Sequence, residues 1–321
     1  MKLRRAVMGG IPWRLGNLAG TSVLLASAVA LSTGTAIAGT EGAVMPSDSQ
    51  LLPVTTVDTD YPTSQGREAM TVYFPAGVGP STPTRAPAIV MVHGGAWMGG
   101  SRALLDSEAR EAALRGFVVF NIDYAVDVPR SPRQYQQVTA AVDYVHSHAD
   151  NFGIDADRIG GLGTSAGAHL LMQSVTVDHV PLEAVVGWSG PYDLSNFSTP
   201  ANSAIAIAAA GVYLGCDPIS AVAAGSSSGV GSSGSAGSCA DQAAEASPIR
   251  HVSAGSPPAL LFNSATEVIP VEQMTSFAEK LRSVGVQADT RVIPGSKHAV
   301  AYSDAALDPT LTYLGRHLGL L

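Results

Sequence analysis

The feature that most constrains this chain is an alternation that begins near residue 88. Short, uninterrupted apolar runs alternate with stretches of helical periodicity. Ala88–Val92, Phe117–Ile122, Arg158–Leu162, Glu183–Trp188, Ala259–Phe262 and Ala288–Ile293 read as strands, most of them apolar throughout. A strand that is apolar at every position has both faces buried, as in a parallel sheet covered by helices. Between these runs, Leu104–Leu114, residues 133–151, Ala166–Val177, Val271–Val284 and Ala301–Leu318 carry apolar residues at helical spacing, the last with an interruption expected at Pro309. The fold class is therefore α/β, with a mostly parallel central sheet and helices on both faces. Residues 192–250 break the rhythm with Gly, Ser, Ala and Pro, and within them Gly225–Ser238 contains only Gly, Ser, Ala and Val. This stretch reads as a mobile insertion that covers the mouth of a site.

The N-terminal residues follow a different logic. Residues 1–38 contain Lys2, Arg4, Arg5 and Arg14 and no acidic residue, then a small and apolar stretch closing in Ala36-Ile37-Ala38. That is the pattern of a signal peptide cleaved before Gly39, which leaves residues 39–321 as the mature domain in a secreted or periplasmic setting. The Gly, Ser and Thr in the stretch make it a poor spanning helix, and no second segment is apolar enough to span. Of the 18 basic residues, 14 remain after removal of the four in the leader, against 26 acidic ones, a net charge of −12. With no long basic run and such a balance, a nucleic-acid partner is not expected. In an oxidising compartment the two cysteines, Cys216 and Cys239, are expected to form a disulfide that pins the ends of the Gly/Ser-rich coil.

Three short motifs carry chemistry. Gly163-Thr164-Ser165-Ala166-Gly167 lies between a strand and a helix. A sharp turn there lifts the Ser165 hydroxyl above the sheet, and the Ala166 N–H opens a helix. A second match, Gly225-Ser226-Ser227-Ser228-Gly229, falls in the low-complexity coil and has no such context. His93-Gly94-Gly95-Ala96-Trp97 follows an earlier strand, where a glycine turn can aim backbone N–H groups at a developing oxyanion. Gly295-Ser296-Lys297-His298 follows the last strand, in the chain order a serine hydrolase of this kind requires. No His/Cys/Asp cluster has zinc spacing, and neither a metal nor an organic cofactor is implied.

Together with Asn121-Ile122-Asp123-Tyr124, Phe152-Gly153-Ile154-Asp155, Arg158-Ile159 and Pro294-Gly295, these motifs make the chain from Thr55 to Leu321 resemble the α/β-hydrolase superfamily, specifically esterases of the hormone-sensitive-lipase-like branch. The resemblance implies an insertion between the sixth and seventh strands, Ser165 as nucleophile and His298 as general base. It implies oxyanion-hole amides from Gly95, Ala96 and Ala166. The acid departs from the pattern. The family places an Asp where this chain has Thr266, and Glu267 follows it. Glu267, one residue on and one methylene longer, is the expected partner of His298. In the alternative, Glu267 faces solvent and Thr266 hydrogen-bonds the ring. Asp289 and Asp304 are nearer in sequence but fall at a strand's start and in a helix.

The expected activity is hydrolysis of small neutral carboxylic esters through an acyl-enzyme. A non-catalytic binding protein on the same scaffold, or an amidase or lactonase using the same residues, remain as alternatives. Trp97, Met98, Tyr192 and Val268, which flank the motifs, are expected to line the substrate pocket.

Overall fold

Eight strands form one sheet in the order β1-β2-β4-β3-β5-β6-β7-β8 in a computed structural model that describes residues 54–127, 131–197, 203–216 and 238–321. The leader-like segment 1–38 and the Gly/Ser-rich coil lie outside the described residues. β1 (Thr55–Thr63) and β2 (Gly66–Phe74) make an antiparallel hairpin, and β2 pairs antiparallel with β4 (Val118–Ile122). From β4 onward every neighbour is parallel: β3 (Ala86–Val92), β5 (Ile154–Thr164), β6 (Ala184–Trp188), β7 (Ala259–Ser264) and β8 (Ala288–Ile293).

Period-two alternation along β3 shows how the sheet is covered on both sides. Val90 and Val92 face one way, with Val138 and Val142 of α2 (Arg133–Ser147), Leu170 of α4 (Ala166–Val177) and Phe277 of α7 (Val271–Ser283). Ile89 and Met91 face the other, with Ala109 and Ala112 of α1 (Asp106–Leu114) and Leu311 and Leu314 of α8 (Ser303–His317). Two apolar layers thus enclose a sheet in which β3, β4 and β6 are buried at every position, as their composition demanded. Between α2 and β5 lies the one-turn α3 (Ala149–Phe152).

Two expectations change. α8 runs unbroken through Pro309, since a proline within a helix removes one backbone hydrogen bond without ending the helix when both flanks pack on the sheet. The segment 192–250 also contains regular structure. α5 (Ala204–Leu214) and α6 (Cys239–Glu245) flank the coil, and α5 is built largely from Ala, the strongest helix former.

Candidate active site

The parallel strands all point their carboxyl ends to one edge of the sheet, where loops of a doubly wound fold gather side chains. Ser165 occupies the abrupt join between β5 and α4, with φ 52° and ψ −119°. Few non-glycine residues adopt this conformation, and it persists only where the surroundings fix it. The Ser165 N–H donates to the Trp188 carbonyl at 2.7 Å. Gly167 sits so close to β3 that a Cβ there would lie 2.2 Å from the Val92 carbonyl oxygen. The hydroxyl therefore stands above the strand ends, beside the open N–H groups of the first turn of α4.

The turn after β3 packs against it. A Cβ on Gly94 would lie 3.0 Å from the Ser165 Cβ. Ala96 and Trp97 both have positive φ, at 54° and 61°. The Gly95 carbonyl accepts from the N–H groups of Met98 and Gly99, each at 3.0 Å. Among the described residues no backbone carbonyl takes up the N–H of Gly95 or Ala96, which leaves two donors beside the serine. Beneath the turn, His93 is buried and stacked on Tyr124 with ring centres 4.3 Å apart. Burial holds its ring below the usual histidine range, so it serves as a neutral donor to the Gly94 carbonyl at 2.6 Å.

His298 follows β8 and reaches Ser165, with Nε2 and Oγ 2.8 Å apart. Its Nδ1 is hydrogen-bonded to Glu267 Oε2. That contact assigns the tautomer: the Nδ1 proton faces the carboxylate, and Nε2 accepts from the serine. The Glu267 side chain is fully buried. Its other oxygen accepts the Ser264 N–H at 2.7 Å and the Ser189 hydroxyl at 2.8 Å. Ser189 in turn accepts the Ala299 N–H at 3.0 Å and lies 2.7 Å from the Tyr302 hydroxyl. One serine thus holds both the carboxylate and the residue next to His298. Thr266 is exposed, and its hydroxyl donates to the Gly295 carbonyl at 3.1 Å. Asp304 pairs with Lys297 at 3.5 Å, and Asp289 accepts from Gln287 at 3.0 Å. The structure therefore joins Ser165, His298 and Glu267 in one hydrogen-bonded chain.

Above Ser165 lies a cavity of about 360 Å³. Trp97 and Val268 line it, together with the Gly94–Ala96 turn, Ala166 and His298. Two expected residues do not. Met98 is 44% exposed, because the positive-φ pair before it turns the Trp97 side chain inward and Met98 outward. Tyr192 is buried under the floor, stacked on Phe277 at 4.5 Å in space left by Gly187 and Gly190, and Pro191 takes its place in the wall. The sequence reading missed the contribution of α5, whose Ile205, Ala206 and Ala209 form part of the wall. The available signal was an uncharged run of Ala, Ile, Gly, Val, Tyr and Leu from Ala204 to Leu214, long enough for a helix that is apolar on every side. Cys216 and Cys239 are joined in a disulfide, with Cα atoms 5.8 Å apart, linking the end of α5 to the start of α6. Among the described residues no group of three or more His, Cys, Asp or Glu side chains could hold a metal ion, and no helix is long and apolar enough to cross a membrane.

The chain is similar to known esterases in sequence and in fold. The chain is 31% identical over 244 residues to the esterase LipC of Mycobacterium tuberculosis, a match that covers 70% of this chain and 56% of that protein. The chain thus spans little more than half the length of that relative. Its structure resembles EstE1, a thermophilic carboxylesterase cloned from a metagenomic library, with TM-score 0.65, 22% identity, and coverage of 83% of this chain and 90% of the other. It also resembles Thermogutta terrifontis esterase 2 phosphorylated by paraoxon, with TM-score 0.61, 22% identity, and coverage of 81% and 94%. The model of the BD-FAE family matches residues 70–281, from β2 to α7, and so takes in the Gly94–Ala96 turn, Ser165 and Glu267. By that match and by its fold, the chain belongs to the BD-FAE family of the α/β-hydrolase superfamily.

Proposed function

We propose that the protein is a carboxylesterase that hydrolyses small neutral carboxylic esters through an acyl-enzyme on Ser165. The observation that carries this reading is the hydrogen-bonded chain Ser165–His298–Glu267 opening into an uncharged cavity. None of the described residues lining that cavity is Lys, Arg, Asp or Glu, so a charged substrate would lose hydration without a partner. In the first step Ser165 Oγ attacks the ester carbonyl carbon while His298 Nε2 takes the hydroxyl proton. The carbonyl oxygen becomes an oxyanion facing the N–H groups of Gly95, Ala96 and Ala166. Collapse expels the alcohol, which receives the proton from His298. Water then attacks the acyl group, again giving its proton to His298, and the carboxylic acid leaves as Ser165 is restored. Glu267 fixes the imidazole tautomer and stabilises the imidazolium in both halves.

Short acyl groups suit the modest cavity. The inserted segment acts as its roof, and the disulfide together with the leader-like residues 1–38 supports an exported enzyme. The test is incubation with p-nitrophenyl acetate and butyrate, with mass spectrometry after an organophosphonate. Turnover well above background with the label on Ser165 is expected. Folded protein that shows neither would leave a binding protein on a hydrolase scaffold.

A further inference from the structure

His169 is a fully buried histidine that the reaction above does not use. It lies in the first turns of α4, where its N–H donates to the Ser165 carbonyl at 3.1 Å. Its ring stands between two other parts of the site. The Trp97 indole N–H is 3.2 Å from Nδ1, and Nε2 is 2.7 Å from the Ala246 carbonyl, just past α6. An indole can only donate and a carbonyl can only accept, so the proton sits on Nε2 and Nδ1 presents a lone pair to Trp97. Burial lowers the ring's pKa to about 4, which keeps that lone pair available at neutral pH.

Trp97 is held from two further sides. Its ring stacks on Tyr213 of α5 at 5.0 Å, and its carbonyl accepts from Gln134 Nε2 at 2.7 Å. These contacts fix the inner side of the turn in which Ala96 and Trp97 both adopt positive φ. Two successive non-glycine residues in that region keep it only when their surroundings leave no alternative. The direction of the Ala96 N–H depends on that turn.

We propose that His169 is a positioning residue for the oxyanion turn: by accepting from Trp97 it holds the Ala96 N–H on line, and through Ala246 it braces the turn against the inserted segment. The kinetic part of this inference rests on the esterase reading. Three variants test it. His169→Phe keeps a ring but no acceptor, Trp97→Phe keeps the stack on Tyr213 but no indole donor, and His169→Asn keeps an acceptor near the Nδ1 position. With p-nitrophenyl acetate, both Phe variants should lose kcat by about 10- to 100-fold, somewhat less than removal of a whole oxyanion donor, with KM changed by less than about threefold. His169→Asn should recover most of the kcat. Hydrogen exchange at residues 94–99 should accelerate in the Phe variants and stay close to the parent in His169→Asn. Full kcat in Trp97→Phe, or a His169→Asn variant as impaired as His169→Phe, overturns the proposal. A parent protein that hydrolyses no ester overturns the esterase reading instead, and exchange at 94–99 then decides the brace alone.

Discussion

The floor and the roof of the cavity are built on opposite principles. The floor is polar and made at strand ends, with Ser189 and Glu267 buried and Ser165 and His298 half-buried at the cavity: Ser165 follows β5, Ser189 β6, Glu267 β7 and His298 β8. Each of these side chains has at least one specific hydrogen-bond partner. The roof is α5, an apolar helix from a single insertion, with Ile205 73% exposed at the mouth and Ala206 and Ala209 turned inward. The floor works through direction, since a hydrogen bond a fraction of an ångström out of line loses much of its value. The roof works through volume, which changes with each methylene and tolerates drift in angle. Substitutions in the floor should therefore cost rate, and substitutions in the roof should change selectivity or stability.

The largest effect is expected where the floor's charge is removed. Glu267→Gln keeps the shape but leaves an amide that can donate where the imidazole needs an acceptor. kcat should fall by up to ~10⁴-fold, as when other triad acids are neutralised, while KM moves little. Steady-state kinetics with p-nitrophenyl acetate check this, and full activity in the variant would remove Glu267 from the mechanism. Next comes the roof's one covalent tie. Replacing both Cys216 and Cys239 by Ser releases a loop with a sequence separation of 23 residues. In the chain-entropy model this costs about 3 kcal/mol. Thermal unfolding should report it as a lower Tm, while kcat on the acetate ester should stay within about threefold because neither cysteine belongs to the hydrogen-bonded chain at Ser165. An unchanged Tm would mean that the tie contributes nothing to the fold.

The same division explains what could be read from the sequence. Strands β3, β4, β6 and β7 were legible because burial on both faces demands apolar residues at nearly every position. The β1–β2 hairpin was not, since β1 is a half-exposed edge strand rich in Thr and Asp with no apolar run to betray it. At the site, Ser165 and His298 were legible because their geometry is set by backbone turns that leave small residues in the sequence. Glu267 could be named as a nearby carboxylate. Its burial and its partner Ser189 could not, because Ser189 comes to it from the neighbouring strand end. Met98 and Tyr192 were misplaced for a related reason: where a loop turns through positive φ or packs on glycines, adjacency to a motif does not give the direction of a side chain. His169 was hidden inside an apolar helix.

A smaller effect should separate the two surfaces within one assay. Ala209 is buried in α5 and forms part of the cavity wall. Ala209→Leu fills space that a longer acyl chain would use without touching Ser165, His298 or Glu267. The ratio of kcat/KM for p-nitrophenyl butyrate to that for the acetate should fall by about 10-fold, the order of discrimination a hydrophobic pocket achieves through a few methylenes. An unchanged ratio would mean that the acyl chain lies elsewhere and that the roof does not measure it.

The smallest effect is expected at the position where related enzymes place their acid. Thr266→Asp restores that residue type, yet the floor has no vacancy for it. Glu267 Oε2 already faces His298 Nδ1, and the second Glu267 oxygen is held by Ser264 and Ser189. Thr266 is exposed beside this network, with its hydroxyl on the Gly295 carbonyl. An aspartate there would lose that donor and place a charge beside a carbonyl oxygen in contact with water, where screening makes the repulsion small. Activity should therefore change by less than about threefold, since an exposed charge next to a buried network adds little to it. Combining Thr266→Asp with Glu267→Gln sharpens the test. If the new carboxylate cannot reach the ring, the double variant stays as slow as Glu267→Gln alone. If the loop can shift to present that carboxylate to His298, the double variant recovers rate, and the floor is less rigid than its hydrogen bonds imply.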